Sequence, residues 1–149
     1  GNIITNNTFF LDSDPYTTIT SPGNSNNSVT VTAYNQLNNG MLIASSRGFS
    51  ANGTINPDIA APGFMLKGPN LKDGYGSATG TGAAAAHTAG IMALILEWNV
   101  LKGHYTTISG RDINRLLIRG AVRDASMDYP NRTWGYGRLD LMGMFRSLV

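Results

Sequence analysis

The stretch Gly80 to Gly90 reads GTGAAAAHTAG, stands just before a long apolar run, and holds one of the chain's two histidines. It has the build of a loop entering a buried helix at an active site. Nucleophilic catalysis at such a place needs three things. These are a hydroxyl or thiol at the helix mouth, a base within hydrogen-bond reach, and donors for the developing oxyanion. No serine or cysteine stands there; the residues in line are Gly80, Thr81 and Gly82. Gly82 supplies only a backbone N–H. With the helix N-terminus, that group can bind a carbonyl oxygen or an anion, but it cannot attack one. His87, five residues further on, has no nucleophile to serve as base.

Other residue types with chemical potential are few. Ser77, in GYGSATG, lies on a Gly-rich loop ahead of the helix mouth and is a poor substitute nucleophile. Asp58, in NPDIAAPG, reads either as a catalytic acid or as a structural carboxylate. His104 sits beside Lys102 past the apolar run, where a solvated charge at a helix C-terminus is the default. Glu97 and Asp112 read as surface groups, Trp98 and Trp134 as packing.

Composition sets the outer limits. The chain has 149 residues, enough for one domain, and 42% of them are hydrophobic. Only 13% are charged, so Asn, Ser, Thr and Gly must carry solubility. That balance favours an extracellular or cell-surface setting. The net charge is +2 and no Lys/Arg block stands out, so nucleic acid is not an expected partner. There are no cysteines, which excludes disulfides and thiolate metal sites. Two histidines and no local carboxylate cluster leave no expected metal or cofactor. No apolar stretch reaches membrane-spanning length free of Gly or charge, so no membrane association is expected. No signal peptide is expected, and a chain that begins with Gly rather than Met is expected to be a processed or engineered piece.

The elements follow from pattern. Residues 1–28 are turn-rich. Ser28 to Asn35, SVTVTAYN, alternates as a strand, and Met41 to Ser45 is a second short strand after an Asn38-Asn39-Gly40 turn. Ile59-Ala60-Ala61 is a short buried piece between Pro57 and Pro62, expected as a strand end at one edge of a sheet. GPNLKDGYGSATGTG reads as a Gly-rich loop. From Ala83 the residues are strong helix formers, apolar nearly all round, up to Gly103. A helix of that kind must be covered on most sides. A second helix is expected at about 111–122, with Ser109 and Asp112 in capping-box spacing and Ile113, Leu116, Leu117 and Gly120 as its inner stripe. Tyr129, Trp134 and Tyr136 are expected to pack as an aromatic loop, and Leu139 to Leu148 to form a short amphipathic helix.

Four segments, in order and spacing, resemble the C-terminal signatures of subtilisin-like serine proteases: SSRG (Ser45 to Gly48), NPDIAAPG (Asn56 to Gly63), GTGAAAAHTAGIMALIL (from Gly80) and WGYGRLDL (Trp134 to Leu141). The stretches DPYTTITSPGNSNNSVTVTAYN and LILEWNVLKGHY resemble the clostridial Csp-type proteases and pseudoproteases of spore germination, in which a β-rich insert interrupts the catalytic domain. The resemblance implies an α/β fold. This chain would be the C-terminal portion of a subtilisin-type, mostly parallel sheet with helices on both faces. Residues 1–14 would be the exit from the upstream insert, and residues 15–149 the C-terminal part of the catalytic domain. It implies that the triad Asp and His and the oxyanion Asn lie upstream, that Gly82 occupies the nucleophile position, and that Thr81 neighbours it. Gly80, His87 and Asp58 become structural at the site: His87 in packing or hydrogen bonding, Asp58 in holding its loop through backbone N–H groups. The expected function is that of a catalytically inactive pseudoprotease acting by binding in spore germination signalling. The alternative is a fragment of an active endopeptidase carrying an engineered Ser→Gly change. Expected partners are the upstream half of the same domain and a sister protease or signalling protein. The expected location is extracellular or spore-associated.

Overall fold

The computed structural model describes residues 11–71, 73–101, 103–104 and 107–148. The expected insert exit at residues 1–14 therefore lies mostly outside the described residues. A three-stranded sheet forms the centre, in the order β2 (Gly40–Met41), β1 (Val31–Asn35), β3 (Ile59–Pro62). β1 and β3 run parallel, with Val31 opposite Ile59 and Ala33 opposite Ala61. β1 and β2 form a tight antiparallel hairpin, Tyr34 opposite Met41. Asn39 takes the left-handed conformation that the turn needs (φ 56°). The second strand is shorter than its pattern suggested: only Gly40 and Met41 pair, and Ile43 is exposed.

Alternation along β1 sorts its two faces. Val31 and Ala33 point with Ile59 and Ala61 toward the helices. There Ile59, Ile95, Ile113, Leu117, Ala121 and Met144 form one buried cluster, and Ala33, Ala61 and Ala84 form a second. On the opposite face Thr32 donates its hydroxyl to the Thr133 carbonyl at 3.1 Å, and the Tyr34 ring packs on Trp134 at 5.7 Å. The expected aromatic loop thus packs on the sheet through Trp134.

β3 differs from expectation. It is not an edge strand delivering a loop; it is paired on both flanks. On one side it joins β1. On the other the Ala60 N–H donates to the Gly137 carbonyl at 2.9 Å, and the Leu139 N–H donates to the Ala60 carbonyl at 2.8 Å. The prolines permit this because of where they fall. Pro57 precedes the strand. Pro62 occupies the same alternation as Ala60, so its missing donor faces away from β1, beyond the last bond to the 137–139 segment.

The expected Gly-rich loop is instead an antiparallel hairpin, β4 (Leu66–Asn70) and β5 (Gly74–Ala78). None of its strand residues is buried and most are exposed, so the sequence carries no apolar alternation to betray it. Backbone pairing alone defines it, with Asp73 left-handed in the turn (φ 43°).

α1 (Thr81–Leu96) continues as one wide π-helical turn, Glu97–Leu101, and Gly103 follows with a positive φ of 74°. Only Ala84, Thr88, Ile95 and Asn99 are buried along it. Ala85, Ala86, Ala89, Gly90, Leu94 and Leu96 are exposed. The helix expected to be covered on most sides is covered along one stripe by the described residues. Its 21 residues, Thr81–Leu101, reach a mean hydropathy of 1.3, long and apolar enough to cross a membrane by length and composition, although Gly90 and Glu97 interrupt it.

α2 (Gly110–Gly120) begins with the expected capping box. The Asp112 N–H donates to Ser109 Oγ, and the Ser109 N–H donates back to Asp112 Oδ2 at 3.1 Å. These hydrogen bonds from Ser109 hold the Asp112 carboxyl below its ordinary value. Ile113 and Leu117 are its buried face. Gly120 crosses α3 (Leu141–Arg146) at backbone distance: a Cβ there would lie 2.3 Å from the Met144 Cα. Backbone cannot yield as a side-chain tip can. Gly120→Ala should therefore lower stability by about 2–3 kcal/mol, read as a fall in thermal midpoint.

Candidate active site

The site is built at the C-terminal end of β3. The Gly63 N–H donates to the Tyr34 carbonyl at 2.8 Å, closing the sheet pairing. The Gly63 carbonyl then accepts from the Gly80 N–H at 2.8 Å, pinning the mouth of α1 to the end of the strand. Gly63 must be glycine, since a Cβ would meet the Ala33 Cβ at 2.6 Å and the Gly80 oxygen at 2.9 Å. Gly80, the residue before the helix, has φ 131°, a region that side chains avoid. Between these two glycines the chain leaves as the β4–β5 hairpin and returns. The Met65 N–H donates to Thr79 Oγ at 2.9 Å, closing the hairpin's base.

The first bond inside α1 runs from the Ala84 N–H to the Gly80 carbonyl at 3.2 Å. The N–H groups of Thr81, Gly82 and Ala83 therefore have no intrahelical acceptor. No side chain caps them, and no acidic residue lies in the first turn. Thr81 and Gly82 are exposed, and nothing lies within 4 Å of where a Cβ on Gly82 would stand. The mouth thus offers backbone donors and the positive end of a helix in open space, with no hydroxyl at position 82.

The other candidates are elsewhere. Ser77 lies on β5, exposed and opposite Lys67. His87 lies on the exposed side of α1 and makes no hydrogen bond among the described residues. The packing or bonding partner expected for it is not supplied by them, because the stripe of α1 that meets the sheet runs through Ala84 and Thr88 instead. His104 is exposed, as its place past the helix end suggests, and one face of its ring stacks on Trp98 at 4.0 Å; Trp98 in turn meets the Phe145 ring edge-on. No group of three or more His, Asp or Glu that could hold a metal comes together among the described residues.

Asp58 is buried at the opposite end of β3 from Gly63, about 16 Å away along a strand of ~3.3 Å per residue. It does not belong to the mouth of α1. Its Oδ2 accepts from the Thr30 N–H at 2.7 Å, and its Oδ1 accepts from Asn114 Nδ2 at 2.9 Å. It ties the start of β3 to the residue preceding β1 and to α2. Burial pushes its carboxyl above the ordinary 3.8, against the bonds from Thr30 and Asn114 that pull it down. Sequence reasoning named Asp58 but not Asn114, which stands 56 residues away with no local signal.

Two outcomes follow. Gly82→Ala should raise stability by about 0.5–1 kcal/mol, since the position is helical and open. Gly80→Ala, two residues earlier, should lower it by about 1–3 kcal/mol through its φ. Thermal unfolding of the two variants reads opposite signs. For Asp58, a raised folded-state value means the native protein binds its proton more readily than the unfolded chain. The resulting stabilisation is full below the unfolded value and is lost as pH rises through the folded one. Asp58→Asn removes that titration. Denaturant melts should show the wild type losing stability relative to the Asn variant as pH climbs from 4 to 7.

Comparison with known proteins joins these features. The model of the Subtilase family of S8 peptidases matches residues 4–137. No curated protein matches. Among solved structures, the Clostridium perfringens CspB protease superposes with a TM-score of 0.89 at 32% identity, covering 95% of this chain and 31% of that one. The self-cleaved protease domain of PatA gives a TM-score of 0.67 at 25% identity, covering 86% of this chain and 44% of that one. The prenylagaramide maturation protease PagA gives 0.73 at 19% identity, covering 91% of this chain and 48% of that one, and shows the fold alone. The chain thus spans about a third of the CspB structure and under half of the other two. With the strand end, the twin-glycine junction and the apolar helix in the family's order, the chain belongs to the subtilase family.

Proposed function

We propose that this chain is the C-terminal part of a subtilase-type catalytic domain that has lost its chemistry and works by binding, as a pseudoprotease in spore germination signalling. The observation that carries this reading is Gly82, a residue without a side chain at the open mouth of α1. The surrounding frame supports it: Gly63 and Gly80 hold the mouth in place, and the donors of Thr81, Gly82 and Ala83 face outward. A frame with donors and no nucleophile can hold a peptide carbonyl without cleaving it.

The apolar outer face of α1 is assigned to the upstream half of the same domain. Its exposed residues are mainly small, Ala85, Ala86, Ala89, Gly90 and Ala93, which lets another protein layer approach closely. The subtilase family match over residues 4–137 supports protein rather than lipid as that cover. Further partners would be a sister protease or a signalling protein. The low charge content supports an extracellular or spore-associated location.

A second reading is an active endopeptidase in which Ser has been replaced by Gly at position 82. The free space at Gly82 favours it, since a serine would enter with no repacking. The natural gene decides: a Ser codon at position 82 removes the pseudoprotease reading.

The functional test uses the full-length protein and a peptide substrate. With Gly82 in place, turnover should lie about a million-fold below that of an active subtilisin-type enzyme, the loss that follows removal of the nucleophile there. Peptide cleavage by the Gly82 form at rates typical of active enzymes would overturn the proposal. Gly82→Ser then reports on the upstream acid and base: recovered cleavage means they are intact, and continued silence means the site has decayed in more than one place.

A further inference from the structure

The β4–β5 hairpin has two edges, and they are not alike. No residue of either strand is buried. A lone two-stranded hairpin without a buried face is marginal in water, and a third strand is what such a pair lacks. The register sets Lys67 opposite Ser77, Gly68 opposite Gly76 and Pro69 opposite Tyr75. In an antiparallel ladder, opposed residues alternately exchange both backbone bonds and exchange none. Pro69 has no N–H to give, so its pair is of the second kind. The bonds within the hairpin therefore run through Leu66 and Ala78, Gly68 and Gly76, and Asn70 and Gly74. Lys67 and Pro69 turn their backbone groups outward on β4, and Tyr75 and Ser77 do so on β5.

Proline and lysine are the residues that protect sheet edges from further pairing. The β4 edge carries both, at its two outward positions. The β5 edge carries neither. Gly74–Ala78 holds no proline and no charged residue, and Tyr75 and Ser77 are exposed. Their N–H and C=O groups have no hydrogen-bond partner among the described residues. Four groups thus stand along one line, an N–H and a C=O at Tyr75 and the same again at Ser77, about 7 Å further on. An extended backbone carries donors and acceptors at that spacing; a compact small molecule does not.

We propose that the β5 edge takes up an extended peptide segment of a partner protein as a third strand, paired through the backbone of Tyr75 and Ser77. Tyr75 is 84% exposed, and its ring packs on an aromatic or β-branched side chain of that segment. With no charge on β5, the segment is selected by its extended form rather than by its charge. A second copy of the chain is the poorer occupant. Two β5 edges would join through five residues a side, against the ~20–30 a side of stable interfaces. Nothing in the pairing depends on whether position 82 supports chemistry.

The test uses the full-length protein and the peptide Thr-Val-Tyr-Val-Thr, amidated and labelled with fluorescein at its N-terminus. Its anisotropy should rise saturably with protein. Hydrogen exchange at the Tyr75 and Ser77 amides should slow at least about 10-fold on binding, while the outward amide of Lys67 is unchanged. Ser77→Pro removes one outward donor and leaves the bonds between β4 and β5 intact, as Pro69 does on β4. It should weaken the peptide about 10-fold, the value of one lost hydrogen bond with its partner left unpaired, with the thermal midpoint little changed. Ser77→Ala and Lys67→Ala should bind as the wild type does. If Ser77→Pro does not fold, exchange at the two wild-type amides decides. Absence of binding, binding that leaves both amides exchanging freely, or equal binding by folded Ser77→Pro overturns the proposal. So does protection of both amides in the unliganded protein, which means that the chain itself already covers the edge. Self-association that Ser77→Pro abolishes overturns it in favour of a second copy.

Discussion

The close backbone packing around β3 is the constraint on which the rest of the structure depends. Three glycines far apart in sequence back onto this four-residue strand and its approaches. A Cβ on Gly48 would meet the Asn56 carbonyl oxygen at 1.6 Å, one on Gly135 would meet the Pro57 oxygen at 2.3 Å, and one on Gly63 would strike Ala33. The motifs SSRG, NPDIAAPG, GTG and WGYG, spread over some ninety residues, therefore describe one place. Each supplies a glycine or a hydrogen bond that lets chain pass close to this strand. Asp58 anchors one end through Thr30 and Asn114, and Gly63 hands the other end to Gly80 and α1. The position of the helix mouth is a consequence of that packing rather than of anything in the helix itself.

This explains what the sequence could and could not reveal. α1 was legible because Ala83 to Leu101 is a run of helix formers, and the start of α2 because Ser109 and Asp112 have a local cap signature. Both signals are contained within a few residues. The two-sided pairing of β3 was not legible, because Pro57 and Pro62 argue against a central strand unless it is known which side their missing donors face. The β4–β5 hairpin was hidden by exposure: with water on both faces, its side chains need no period of two. The partner of Asp58 was hidden by distance along the chain. Gly82 was legible as an absence, and only through resemblance to the family; composition alone would have passed it as one more helix-mouth glycine.

The apolar helix shows the same division between local and distant information. Its composition demands cover, yet the sheet touches only the stripe through Ala84, Thr88 and Ile95. A period of 3.6 cannot report which of several apolar sides meets which neighbour when all sides are apolar. His87 falls on one of the uncovered sides, so its role is set by whatever lies there and not by the residues around it in sequence. The stacking of His104 on Trp98 is a comparable case: the residue is exposed, as a place just past a helix end suggests, but nothing local announces the ring beneath it.

On the proposed reading of Gly82, the setting of a catalytic residue persists without the residue itself. The contacts that define the mouth run through Gly63, Gly80, Ala33 and Ala84, and none involves a side chain at position 82. Glycine in a helix costs about 1 kcal/mol relative to alanine, a modest share of a domain's net stability. The same replacement in a working enzyme removes about a million-fold in turnover. Stability and chemistry are thus nearly uncoupled at this position. Selection for the fold alone preserves the glycines that bring backbone together around β3, and is almost indifferent to the hydroxyl.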